Sequence, residues 1–202
     1  MLNDKVIAIT NVSHYMGPAT AKLFQEQEGN LYLFDRDIIR AKEVLQIEGV
    51  DVTKVVFYEM RESNSATINE AVKWLYSQND RIDILVNVNA NPPNRASVID
   101  ITDEQWREMQ HYLLDELFYW TRAVLAYMIP VQKGKIINYT SAAGLAGLPN
   151  YTAYATARAG ANGFTQSAGK EVAKYNIQIN AIAQNFVENP TYFPEELIRD
   201  EE

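Results

Sequence analysis

Ser141, Tyr154 and Arg158 are the side chains whose types and spacing best equip this chain for chemistry; twelve residues separate the first two and three the last two. Tyr154 and Arg158 lie four positions apart, so on a helix they share one face. A free tyrosine titrates at about 10 and is a poor base near neutrality. A permanent guanidinium one turn away favours the phenolate, since an opposite charge within about 4–6 Å lowers a pKa by about 1–3 units. The Ser141 hydroxyl can hold a substrate oxygen beside that phenol, as donor or acceptor. Together the three can move a proton to or from an alcohol oxygen.

The elements that must position them are legible as short apolar, β-branched runs alternating with helix-period segments. Strands are predicted at Val6–Thr10, Leu31–Phe34, Lys54–Tyr58, Ile82–Asn87, Lys135–Tyr139 and Ile177–Ile182. Such alternation predicts an α/β fold, a Rossmann-like doubly wound parallel sheet in strand order 3-2-1-4-5-6. The first helix is expected to start at Pro18 and to stop near Gly29 as its C′ residue. A second long helix follows a capping box of Thr102 and Gln105, with Trp106, Met109, Leu113, Leu117 and Trp120 at helical spacing. Another is expected over about residues 153–174. Ligands of such sheets bind outside the carboxyl ends of the strands. Four loops meet there: TNVSHYMG from Thr10, NVNANPP from Asn87, the Ser141–Arg158 segment, and AQNFVENPTYFP from Ala183.

With 202 residues, the chain suits one domain, read as residues 1–187 with a C-terminal loop and acidic tail at 188–202. A net charge of −8 argues against nucleic acid or an anionic membrane as partner. The absence of cysteine excludes disulfides, thiolate nucleophiles and Cys-ligated zinc. His14 and His111 lack ligand spacing, so no metal is expected. Apolar runs fall short of the ~20 residues that span a bilayer, and the N-terminus lacks a signal-peptide pattern. A soluble cytoplasmic protein is expected.

Over almost the whole chain the sequence resembles the short-chain dehydrogenase/reductase family, through Val6–Gly17, LVNVNA at 85–90 and GKIINYTSAAG at 134–144. That family's Ser and Tyr-x3-Lys handle the alcohol proton of a hydride transfer, but here Arg158 stands for the lysine, and Leu113 aligns near the catalytic asparagine. The family's glycine-rich turn, TGxxxGxG, keeps only Gly17; Asn11 takes the place of the first glycine and Tyr15 that of the second. A ring at Tyr15 obstructs the close approach of a pyrophosphate to the backbone. Asp35 matches a ribose-binding acid in position and, with this turn, has lost that use.

Taken together, these departures resemble the halohydrin dehalogenases. Thr10, Tyr15 and Gly17 fit that family's turn, Thr-x4-(Phe/Tyr)-x-Gly, and Ser141, Tyr154 and Arg158 fit its Ser-x12-Tyr-x3-Arg set. The resemblance implies conversion of vicinal haloalcohols to epoxides with halide release and no cofactor, and in reverse epoxide opening by azide, cyanide or nitrite. It implies Ser141, Tyr154 and Arg158 as catalytic, a halide and substrate pocket from Thr10, Tyr15, Gly17, Gln184, Asn185, Phe186, Val187, Tyr192 and Phe193, and a homotetramer. Relatives of this kind continue through a seventh strand, and the sheet read from these 202 residues is expected to stop at the sixth. Two alternatives stay open: an NAD(P)-dependent oxidoreductase, and a catalytically silent binding protein of the same fold.

Overall fold

The computed structural model describes residues 2–89, 91–185 and 187. Among them six strands form one parallel sheet: β1 Val6–Thr10, β2 Asn30–Asp35, β3 Val56–Glu59, β4 Ile84–Asn87, β5 Gly134–Ser141 and β6 Ile177–Gln184. Their order, β3-β2-β1-β4-β5-β6, is the one the sequence predicts. Every residue of β1 and β4 is buried, which is why both read as unbroken apolar runs. Helices α1 (Gly17–Glu26), α2 (Ile38–Glu48), α3 (Ser65–Asn79), α4 (Asp103–Gln110), α5 (Glu116–Met128), α6 (Ala143–Ala146) and α7 (Thr152–Val172) cover the sheet. No described helix is long and apolar enough to cross a membrane. The chain reverses direction across the sheet between β1 and β4, so the crevice opens where those strands end.

The first helix stops by another route than expected. Glu28, with φ of 62°, takes the left-handed position, and Gly29 follows it. The N–H of Glu28 donates to Gln25 and that of Gly29 to Phe24, a Schellman closure one residue early. Gly29 is needed for space, because a Cβ there would come 2.7 Å from Ile7 Cδ1. The third strand also starts later than predicted: Val52–Lys54 form a 3-10 turn capped by the Asp51 carboxylate.

The capping box of Thr102 and Gln105 forms as predicted. Between α4 and α5, however, His111–Asp115 widens into a π turn. Met109, Leu113 and Leu117 repeat every four residues, a spacing a straight α-helix cannot keep on one line; the π turn brings all three, and Trp120, into the core. Trp106, before the turn, is left 38 % exposed.

Beneath the crevice a set of buried polar side chains bridges strands and helices. The Asn87 amide donates to Asn138 (2.8 Å) and Thr121 (3.3 Å), and the Asn138 amide donates to Thr165 (2.9 Å). These bonds lock β4 and β5 to α5 and α7, the two helices that flank the site. Asn138→Ala should therefore lower the unfolding free energy by about 1–3 kcal/mol, since buried amide and hydroxyl groups lose partners. Urea denaturation should show a lower midpoint at unchanged slope.

Candidate functional site

The turn from β1 into α1 keeps a glycine-like backbone and fills it with side chains. Asn11 (φ 46°) and Tyr15 (φ 54°) both sit in the left-handed region, where glycine is at ease. Gly17 has another reason to be glycine: a Cβ would run into the Val12 backbone, so only a bare residue lets α1 begin so close to the turn. Tyr15 is 8 % exposed and belongs to the apolar cluster that holds Ile7, Ile9 and Val12, against which Ile137 and Tyr139 pack. Burial pushes its phenol up to about 12, with Tyr154 and Tyr139 adding to the rise and the Arg158 guanidinium opposing it. Those causes place all four side chains in one electrostatic neighbourhood.

Asp35 is turned inward. One carboxylate oxygen accepts from the Ser13 N–H (2.8 Å) and the other from the Asp37 N–H (3.1 Å). Thr10 is likewise engaged, its hydroxyl accepting from the Val88 N–H at 3.0 Å and so tying β1 to the loop after β4. With Tyr15 in the turn and Asp35 committed to Ser13, the residues present do not fit the pyrophosphate and ribose of a dinucleotide.

On the other side of the crevice, β5 ends at Ser141, whose hydroxyl accepts from the Ala143 N–H (3.1 Å). Gly144 then lets α6 press against α7, because a Cβ there would meet the backbone of Arg158 and Ala159. Arg158 is 1 % exposed. Its guanidinium donates to the Tyr139 carbonyl (3.1 Å) and lies 5.2 Å from the centre of the Tyr154 ring. Among the described residues no carboxylate pairs with it, and its Nε has no hydrogen-bond partner. A buried cation is costly unless it is paired or hydrogen-bonded. Tyr154 itself is half-buried against Met109, Leu113, Ala153, Ala157 and Ile101. Leu113 thus supplies apolar packing to the phenol rather than a hydrogen bond.

Gln184 ends β6 directly opposite Ser141 in the strand register. Its carbonyl accepts from the Ala142 N–H (2.8 Å), while its side-chain Nε2 is buried without a partner among the described residues. Parity along the paired strands puts this donor on the same sheet face as Ser141 and Tyr139. Asn185 is exposed and Val187 half-buried. Phe186, Tyr192 and Phe193 lie outside the described residues.

Two contributors escape the sequence motifs. Asn162, one turn past Arg158, donates to the Ser141 carbonyl (3.3 Å) and fixes the end of β5. Glu116 is 1 % exposed and accepts from Asn11, Arg36 and Ser63. The only signal for Glu116 in the sequence is an acid on the stripe that holds Leu113, Leu117 and Trp120.

Residues 5–201 match the short chain dehydrogenase family. The 3-oxoacyl-[acyl-carrier-protein] reductase FabG of Thermotoga maritima is 33% identical over 190 residues, covering 94% of this chain and 76% of that protein. A solved structure of a "Dehalogenation enzyme" is 30% identical, with a TM-score of 0.83 over 100% of this chain and 80% of the other. NAD+-bound xylitol dehydrogenase is 26% identical, with a TM-score of 0.85 over 93% and 72%.

The raised Tyr15 pKa carries a stability consequence. An unfolded tyrosine titrates at about 10, whereas Tyr15 in the fold titrates at about 12. The neutral phenol's contribution is therefore complete below the lower value and is lost as pH rises through the higher. Urea unfolding of the wild type should show a downward slope of stability across that alkaline window. Tyr15→Phe should remove Tyr15's share of the slope, and equal slopes in the two proteins would contradict it.

Proposed function

We propose that this chain, which belongs to the short chain dehydrogenase family, is a dehalogenating member of it that converts vicinal haloalcohols to epoxides and needs no nicotinamide. The observation that carries the reading is Tyr15, buried in the turn a cofactor would use and held in the neighbourhood of Tyr154 and Arg158. The 30% identity to the dehalogenation enzyme over the full chain supports it.

In this mechanism Ser141 holds the substrate hydroxyl and Tyr154 removes its proton. Arg158 stabilises the phenolate that does so, having no carboxylate of its own among the described residues. The alkoxide oxygen forms a bond to the neighbouring carbon while the carbon–halogen bond breaks, its electron pair leaving on the halide. The proton rests on Tyr154 until solvent takes it. Attack within one molecule needs no enzyme nucleophile, because well-oriented intramolecular reactions reach effective molarities of about 10⁵–10⁸ M. Gln184, whose buried amide nitrogen has no partner among the described residues, is the donor we assign to the departing halide.

The second reading is nicotinamide-dependent oxidoreduction, and the curated relatives weigh toward it, since FabG-type reductases at 33% and 30% identity are among them. The same Ser141–Tyr154 pair would then protonate or deprotonate the alcohol oxygen. Tyr15 and Asn11 in the turn stand against that reading. The discriminating experiment is halide release from 1,3-dichloro-2-propanol with no nicotinamide present. Release is expected, and Tyr154→Phe should lower its rate by about 10²–10⁴-fold, the usual contribution of a positioned general base. Strict dependence on NAD(P)H, or NAD(P)H binding detected by fluorescence, would transfer the assignment to the second reading.

A further inference from the structure

Three strand-end loops converge on one buried carboxylate. Glu116 follows the π turn and points away from solvent at 1 % exposure. Arg36, just beyond β2, donates to its Oε1 (2.5 Å), and Ser63, in the loop after β3, donates to the same oxygen. Asn11, in the turn after β1, donates to Oε2 (3.2 Å). Arg36 is further fixed face-on to the Tyr112 ring, 4.1 Å from its centre. Burial pushes the Glu116 carboxyl up, and the Arg36 guanidinium pulls it back ahead of the Ser63 and Asn11 hydrogen bonds. Such a desolvated acid is costly to keep unless its bonds hold something in place.

What they hold is the turn. Asn11 sits at a left-handed φ of 46°, a conformation that asparagine adopts more readily than most residues and glycine more readily still. Its carbonyl accepts from the His14 N–H (3.0 Å), and the His14 carbonyl accepts from the Gly17 N–H (2.8 Å). Tyr15 lies inside the second of these two turns. The side chain of Asn11 is thus the first link in a short chain of contacts that sets the main chain carrying Tyr15.

We infer that Glu116 is a positioning residue of the proposed dehalogenation site, anchoring Asn11 so that the turn presents Tyr15 beside Tyr154 and Arg158. The inference rests on the proposed function for its kinetic part only. Glu116 touches no reacting atom in this scheme; it acts through Asn11, and what it governs is the shape of the pocket rather than the basicity of Tyr154.

The test compares wild type, Glu116→Gln, Asn11→Gly and the double variant by amide hydrogen exchange over residues 11–17 and by halide-release kinetics. Glycine suits the backbone of Asn11, and Asn11→Gly leaves the Glu116–Arg36–Ser63 cluster intact. Loss of a hydrogen bond to a charged group corresponds to about tenfold faster exchange in each single variant. The double variant should exchange no faster than the more affected single one, because both changes break the same link. KM should rise by a similar factor with a much smaller change in kcat, a split that loss of global stability does not produce. Unchanged exchange in either single variant, or effects that multiply in the double, would overturn the inference. If Glu116→Gln does not fold, Asn11→Gly decides alone: KM and exchange both at wild-type values would overturn it. A wild type that releases no halide defeats the proposed reaction, while the exchange measurement still decides the anchoring.

Discussion

Among the described residues, a guanidinium with no carboxylate partner is the constraint around which the candidate site is arranged. Arg158 is buried, its guanidinium donates to the Tyr139 carbonyl, and its Nε has no partner among those residues. A buried charge is costly unless it is paired or hydrogen-bonded. Tyr154, half-buried and one turn away on α7, presents its ring to that cation, while burial pushes Tyr15 toward its neutral form. A lysine at the same place could swing its ammonium toward another ligand. The planar fork of arginine, fixed on the Tyr139 carbonyl, has much less latitude.

The environment works in the same direction. Leu113, Met109 and Ile101 make the wall behind Tyr154 apolar, which strengthens every electrostatic interaction in front of it. The asparagine and threonine pairs beneath the crevice hold β4 and β5 in register with α5 and α7, so the trio is mounted on packed elements rather than on a loose loop. Gly144 and Asn162 do the same for the end of β5.

Much of this could be read from the chain because it depends on local pattern. The six apolar runs, the Thr102–Gln105 cap and the four-residue step from Tyr154 to Arg158 are short-range features, and short-range physics determines them. The features that could not be read depend on contacts between distant segments. Glu116 meets Asn11, Arg36 and Ser63 across long stretches of sequence, and nothing local marks it except an acid on an apolar stripe. Gly29 is expected in the left-handed position, yet Glu28 takes it, and Gly29 follows to close the Schellman pair. The π turn at His111–Asp115 comes from core packing overriding helical period, and it displaced Trp106 from the buried stripe.

The turn's backbone has a consequence for descent and for engineering. Asn11 and Tyr15 both keep torsions that suit glycine, so the main-chain path of a glycine loop survives beneath larger side chains. The main chain need not be rebuilt to pass between a bare turn and a filled one, and each glycine restored relieves the torsional strain at its own position while leaving that of the other. A loop of this kind can exchange its side chains while its main-chain path stays in place.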